Sequence, residues 1–175
     1  MTWLRRNRWY LVALAVLLPV ALVVALDAGW FRYLENRDGR PVAIVPAGET
    51  VDYSGAAWSL LESYSVDAST DRGQSVGLRE GTTLISATIG VRPGAEPPSC
   101  TVELVDAAGV RTWDEADSTD ADVSAAEGTE TYCSTDATEP YRVQVFFVVP
   151  DDAARDARLR LYNLAIYPDL ILFEL

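Results

Sequence analysis

The chain has 175 residues with 26 acidic against 14 basic side chains, a formal net charge of −12, and contains neither histidine nor lysine, so every basic residue is arginine. Without His and Lys there is no Ser-His-Asp or Cys-His arrangement, no serine–lysine dyad, no Schiff base and no histidine-bound zinc or haem. The acidic balance also excludes nucleic acid as a partner, because such a surface repels a phosphate backbone.

The first element is the uncharged run Trp9 to Leu26, preceded by Arg5, Arg6 and Arg8 and followed by Asp27. At about 1.5 Å per residue a helix over it covers roughly 27 Å, close to a hydrocarbon core of about 30 Å. Proline, here Pro19, is tolerated better in membrane helices than in soluble ones. Trp3, Trp9 and Tyr10 at one end and Trp30, Phe31 and Tyr33 at the other suit the headgroup level. The expectation is a short cytoplasmic tail over 1–8, a single transmembrane helix over 9–27 and a juxtamembrane connector over 28–40. A cleaved signal peptide is the rival reading, with Val23-Val24-Ala25 as its best cleavage site. It is disfavoured because the run exceeds the usual apolar length and that site lies inside it. Arg32, Arg37 and Arg40 beyond the run equal Arg5, Arg6 and Arg8 in number, so counting basic residues leaves the orientation tied. Proximity to the run and the cysteines below favour the tail inside and residues 41–175 outside.

Removing the first 26 residues from 175 leaves 149, with 11 arginines against all 26 acids, a formal charge of −15. That length suffices for one domain with a real core. Pro41 to Val45 reads as a short strand. Thr50 to Tyr53 and Trp58 to Val66 flank a Ser54-Gly55 turn, with a bulge expected near Leu61-Glu62 to keep Trp58, Leu60, Tyr64 and Val66 on one face. Asp67 to Gly81 reads as a loop. Ile85, Ala87, Ile89 and Val91 alternate with Ser86, Thr88 and Gly90, the period of a half-buried strand, and Arg92-Pro93-Gly94 ends it. Cys100 to Val105 and Val110 to Trp113 form a hairpin about Asp106-Ala107-Ala108-Gly109. Asp114 to Glu139 holds nine acids and no base; it reads as a long loop with a candidate strand near Tyr132-Cys133. Tyr141 to Val149 is a strand with apolar residues on both parities, so its end is expected to be covered on two sides. A helical turn from Pro150 to Ala157, a strand Arg158 to Tyr162 and a closing segment Leu170 to Leu175 complete the chain. Frequent turns and seven to nine short strands predict a mainly β fold, an immunoglobulin-like two-sheet sandwich. Its core is expected to contain Trp58, Leu60, Ile85, Ile89, Val102, Leu104, Val143, Val145, Phe147, Leu159 and Leu161.

Two cysteines in a domain expected outside the cytoplasm predict a Cys100–Cys133 disulfide. Closing a 33-residue separation, it restricts the unfolded chain by roughly 3.5 to 4 kcal/mol on the entropic model. No catalytic residue, cofactor site or metal site is assigned. Asp114, Glu115, Asp117, Asp120 and Asp122 are the densest hard-oxygen ligands and the calcium candidates, but their spacing matches no calcium loop; Asp67-x-Ser69-x-Asp71 lacks the glycine and distal Glu of an EF-hand. Trp58 and Trp113 lie at strand ends, where core packing is commoner than sugar binding. Carboxylate catalysis needs an acid held in an apolar or like-charged pocket, whereas these acids gather in loops.

The Gly-x-x-Trp run Gly55 to Trp58, the Leu-x-Asp-x-x-Gly hairpin Leu104 to Gly109 and the Phe-x-Val-Pro strand end Phe147 to Pro150 resemble the telokin-like extracellular sandwich domains of Gram-positive bacteria. The likeness covers residues 50–165, although Val148 stands where an acid is common. It implies an immunoglobulin-like module behind a signal peptide or membrane anchor and supplies no functional residues. The arginine-only basic set, with abundant Ala, Val, Asp and Gly, fits a GC-rich bacterial genome. The expected function is that of a non-enzymatic, single-pass cell-membrane protein whose extracytoplasmic domain binds a protein partner in the cell envelope or serves as an accessory subunit. The alternatives are a calcium- or small-ligand-binding module using the acidic loop, and a cleaved secreted protein.

Overall fold

The computed structural model describes residues 7–25, 39–95, 99–117 and 119–175. The chain divides into two compact units, Met1–Gly39 and Arg40–Leu175. In the first, α1 (Arg8–Ala25) is built from Ala, Leu and Val with Pro19 inside, and its side chains from 13 to 24 are all exposed. Over the described residues no helix is long and apolar enough to cross a membrane. The spanning helix expected over 9–27 therefore goes unsupported here. Leu26 and Asp27, the connector aromatics Trp30, Phe31 and Tyr33, and Trp3, Arg5 and Arg6 of the tail lie outside the described residues.

The second unit is a two-sheet β-sandwich. Its strands are β1 (Arg40–Val45), β2 (Thr50–Tyr53), β3 (Ala56–Asp67), β4 (Thr82–Pro93), β5 (Thr101–Val105), β6 (Thr112–Trp113), β7 (Tyr141–Pro150), β8 (Arg158–Tyr162) and β9 (Asp169–Glu174). Two single-turn helices interrupt them, α2 (Asp71–Ser75) and α3 (Asp151–Ala154). One sheet has the order β1-β9-β8-β5-β6 and the other β2-β3-β4-β7. Pairing is antiparallel throughout except for β1, which runs parallel to β9.

Alternation along each strand sends one set of side chains between the sheets. All eleven residues expected in the core are buried there, together with Tyr53, Val91, Ile171 and Phe173. Trp58, Phe147 and Phe173 are fully enclosed, each contributing roughly 2 to 3 kcal/mol on removal from water. The polar atoms of Trp58 and of its neighbour Tyr53 are satisfied. The Trp58 Nε1–H donates to the Tyr53 carbonyl at 2.8 Å, across a two-residue turn in which Ser54 and Gly55 have φ of 50° and 78°, the left-handed geometry that hairpin twist requires. The Tyr53 hydroxyl donates to the Asp169 carbonyl at 2.6 Å and accepts from the Asn163 N–H at 3.2 Å. One tyrosine thus ties β2 to the other sheet.

Three local expectations are corrected. The bulge falls between Leu60 and Glu62, as expected, but it divides the apolar residues instead of aligning them. Leu60 pairs with Ile89 on the inner face, whereas Glu62 pairs with Thr88 on the outer one. Tyr64 and Val66 therefore join Leu84 and Phe146 in a second apolar cluster outside the sandwich core. The 67–81 segment contains α2, because the Thr70 hydroxyl accepts from the Gly73 N–H at 3.1 Å and caps it. In the acidic segment no strand forms at Tyr132-Cys133; the pairing is a parallel bridge between Glu130 and Val143.

That acidic segment is the covering expected over β7. The Ala116 N–H donates to the Phe146 carbonyl at 2.7 Å, the Glu130 N–H to Arg142 and the Gln144 N–H back to Glu130, both at 2.8 Å. The free edge of β7 is thereby closed, which removes a template for unwanted strand pairing. Ala121 and Val123 pack on Phe146 and Leu84, and the Asp122 N–H donates to Val76 at 2.8 Å. Cys100 and Cys133 are joined in a disulfide with Cα atoms 5.8 Å apart, fastening the segment to the start of β5.

Candidate functional site

The covering stops partway along the outer face of the β2-β3-β4-β7 sheet. Strand register lays two rows across the remainder: Thr50, Ser59, Gly90 and Arg142 in one, and Asp52, Ala57 and Arg92 in the next. Gly90 is the floor. A Cβ there would lie 2.9 Å from the Ser59 Oγ and 3.2 Å from both methyls of Leu61, the residue that the bulge turns outward. Thr50, Ser59, Leu61, Gly90, Arg92 and Arg142 bound a shallow cleft of about 350 Å³.

Two arginines without ion pairs border it, a state they share among the described residues with Arg72, Arg79, Arg155 and Arg158. Arg40 pairs with Asp169, Arg111 with Asp106 and Asp152, and Arg160 with Glu103. Arg92 and Arg142 have no ion pair or side-chain hydrogen bond among the described residues, although acids outnumber bases in the chain. Both are exposed. Tyr141 also borders the cleft, but its side chain packs against the sandwich core and its hydroxyl is buried, so the hydroxyls open to the cleft are those of Thr50 and Ser59. The arrangement can hold an anion between guanidinium groups and hydroxyls.

Two other polar groupings are engaged internally, although Arg155 beside the second has no ion pair among the described residues. On the outer face of the β1-β9-β8-β5-β6 sheet, Glu103 accepts from Arg160 Nε at 3.0 Å and from the Tyr162 hydroxyl at 2.8 Å. Burial first and the Glu103 hydrogen bond second push Tyr162 up to about 12. In the hollow beside α2 and α3, the Thr83 hydroxyl donates to Asp151 at 2.7 Å and the Arg72 guanidinium lies 5.0 Å from the Tyr64 ring centroid.

The calcium candidates Asp114, Asp117, Asp120 and Asp122 are all exposed. Asp117 accepts from the Thr119 N–H at 2.7 Å and from its hydroxyl at 2.5 Å, and Asp120 accepts from the Asp117 N–H at 3.2 Å. The Thr119 side chain, then its N–H, holds the Asp117 carboxyl below the usual range. Among the described residues no three acidic or cysteine side chains converge as a metal cage. Asp67 likewise turns back on its own loop, accepting from the Ser69 N–H at 2.7 Å. Trp58 is enclosed in the core, and Trp113 packs against it with Arg111 5.5 Å from its ring centroid.

Sequence reasoning missed Arg92, Arg142 and Gly90. Arg92 reads as a strand terminator and Arg142 as one polar position of a strong strand. The available signal was an arginine at the outward parity of two strands in an acidic chain.

No family model and no curated protein matches the chain. Three solved structures are similar to it. A functionally unknown protein from Listeria monocytogenes shares 12% identity over 65% of this chain and 68% of that one, with a TM-score of 0.40. A candidate lipoprotein from Bacillus subtilis shares 11% over 72% and 38%, with a TM-score of 0.46. An uncharacterised β-sandwich protein from Clostridium difficile shares 13% over 78% and 95%, with a TM-score of 0.43.

Proposed function

We propose that this chain is a non-enzymatic, single-pass membrane protein of the bacterial cell envelope whose extracytoplasmic sandwich, of the telokin-like type, binds another protein. The observation that carries the reading is the half-covered outer face of the β2-β3-β4-β7 sheet. The acidic segment closes the β7 edge and buries Phe146 and Leu84, yet leaves the surface around Gly90 open beside Arg92 and Arg142, which have no ion pair among the described residues. A disulfide supports an oxidising compartment. The uncharged run Trp9 to Leu26 in the sequence is what supports an anchor, since such a stretch is stable in hydrocarbon and not in water.

The test is made in intact cells of a bacterial expression host. Protease added to spheroplasts should remove residues 41–175, and carbonate washing should leave the full chain in the membrane. A photo-cross-linking residue at position 59 should capture a protein that the same residue at position 101, on the other sheet, does not. Protection from protease, or identical cross-linking at both positions, overturns the reading.

A further inference from the structure

We propose that the cleft over Gly90 is a carboxylate-binding site that receives an acidic, aliphatic segment of the partner protein, an inference resting on the protein-binding reading above. Arg142 lies directly opposite Gly90 across β4 and β7, and Arg92 is two residues further along the same face, so the two side chains rise on adjacent corners of a floor that has none. Opposite strand positions have Cβ atoms about 5 Å apart and diagonal ones about 7 to 8 Å, a separation that one or two carboxylates can bridge. Ser59 and Thr50 continue the Gly90 row and bring hydroxyl donors to its far side. Glycine matters here because any side chain would fill the space that the Ser59 Oγ and the Leu61 methyls already border.

Guanidinium forks bind carboxylate and phosphate alike, so the choice of an acidic peptide over a phosphate polymer rests on what surrounds them. The cleft is rimmed by Leu61, a surface for aliphatic side chains between the acids, and it sits on a chain whose formal charge is −12. That field opposes a ligand carrying a charge on every unit more than a segment whose few carboxylates meet the two arginines, even with Asp52 in the Arg92 row.

The full-length protein in zwitterionic detergent is titrated with a labelled short peptide alternating leucine and glutamate. Saturable binding is expected, weakened about tenfold in the leucine–glutamine peptide and about tenfold in Arg92→Ala or Arg142→Ala, each loss reflecting a charge-assisted pair. Binding should also weaken with added salt. Both arginines are exposed, so an unchanged melting transition verifies that the variants are folded. Equal affinity for the two peptides, affinity unchanged in both variants, or tighter binding of inorganic phosphate or of phosphatidylglycerol vesicles than of the glutamate peptide overturns the inference. Cross-linking at position 59 that survives both arginine substitutions, with no peptide binding, removes the carboxylate site and leaves the protein-binding reading standing. Peptide binding without any cross-linked protein removes that reading alone.

Discussion

The side-chain carbonyl of Gln144 accepts a hydrogen bond from the backbone N–H of Ala126 at 2.7 Å. The same amide donates to the Ser86 hydroxyl at 3.1 Å. Gln144 is buried on the outer face of the sheet, so one side chain satisfies a strand residue and a loop residue at once.

Truncating Gln144 to alanine leaves the Ala126 N–H and the Ser86 hydroxyl without their partner. An unsatisfied buried polar group costs about 1 to 3 kcal/mol, so Gln144→Ala should lower unfolding free energy by that order in urea. Amide exchange should accelerate first at Ala126 and Glu130. Uniform exchange with no loss of stability would show that the loop is held by its other contacts.

The disulfide acts on the same segment from its far end. Replacing Cys100 and Cys133 by serine together should destabilise by roughly 3.5 to 4 kcal/mol on the chain-entropy model. The Glu130 and Gln144 amides, which join the segment to β7, should lose protection before the β3–β4 ladder does. Simultaneous loss across both sheets would mean that the bridge supports the whole sandwich and not this edge.

How much of this was legible follows from where the signal resides. Strand β8 and the first half of β3 bury one face, so their alternation writes them into the sequence, and the core residues drawn from them are all buried. The acidic segment is different. Its attachment runs through backbone groups of Ala116 and Glu130, which leave no pattern in side-chain identity, and its apolar contribution is little more than Ala121 and Val123. The cleft was illegible for another reason. Residues 92 and 142 are distant in sequence and meet only through the β4–β7 register.

Asp106 contributes to the acid limb of stability, alongside the depressed carboxyls of Asp67 and Asp117. The Asp106 carboxylate accepts from the Val110 N–H at 2.8 Å, the Arg111 N–H at 3.3 Å and Arg111 Nε at 3.1 Å, closing the β5–β6 turn. The Val110 N–H first and the Arg111 side chain second hold the carboxyl below its ordinary range. A folded value below the unfolded one of about 3.9 gives stability that is present above pH 4 and is lost as pH falls through the folded value. Asp106→Asn should therefore melt a few degrees lower at neutral pH, with the difference narrowing in acid as the native aspartate protonates. A constant difference down to acid pH would place the effect in packing and not in charge.

The bulge at Leu61 yields the sharpest structural test, because a deletion there should preserve pairing. Leu60 is opposite Ile89 and Glu62 opposite Thr88, so β4 advances by one residue while β3 advances by two. Removing Leu61 makes the two strands advance together: Leu60 keeps Ile89, Glu62 keeps Thr88, and Tyr64 and Val66 stay on the outer face with Phe146. Removing Ser63 instead forces a choice. Either Tyr64 turns toward the sandwich interior, or the bulge closes and Glu62 takes the inward place opposite Ala87, which is fully buried. Leu61 deletion should cost about 1 kcal/mol or less, since the leucine is half exposed, and should leave the amide spectrum of β4 and β7 largely in place. Ser63 deletion should cost several times more, since it carries either a charge or a large side chain to the wrong face. Equal losses in denaturant would mean that pairing between β3 and β4 depends on the bulge itself.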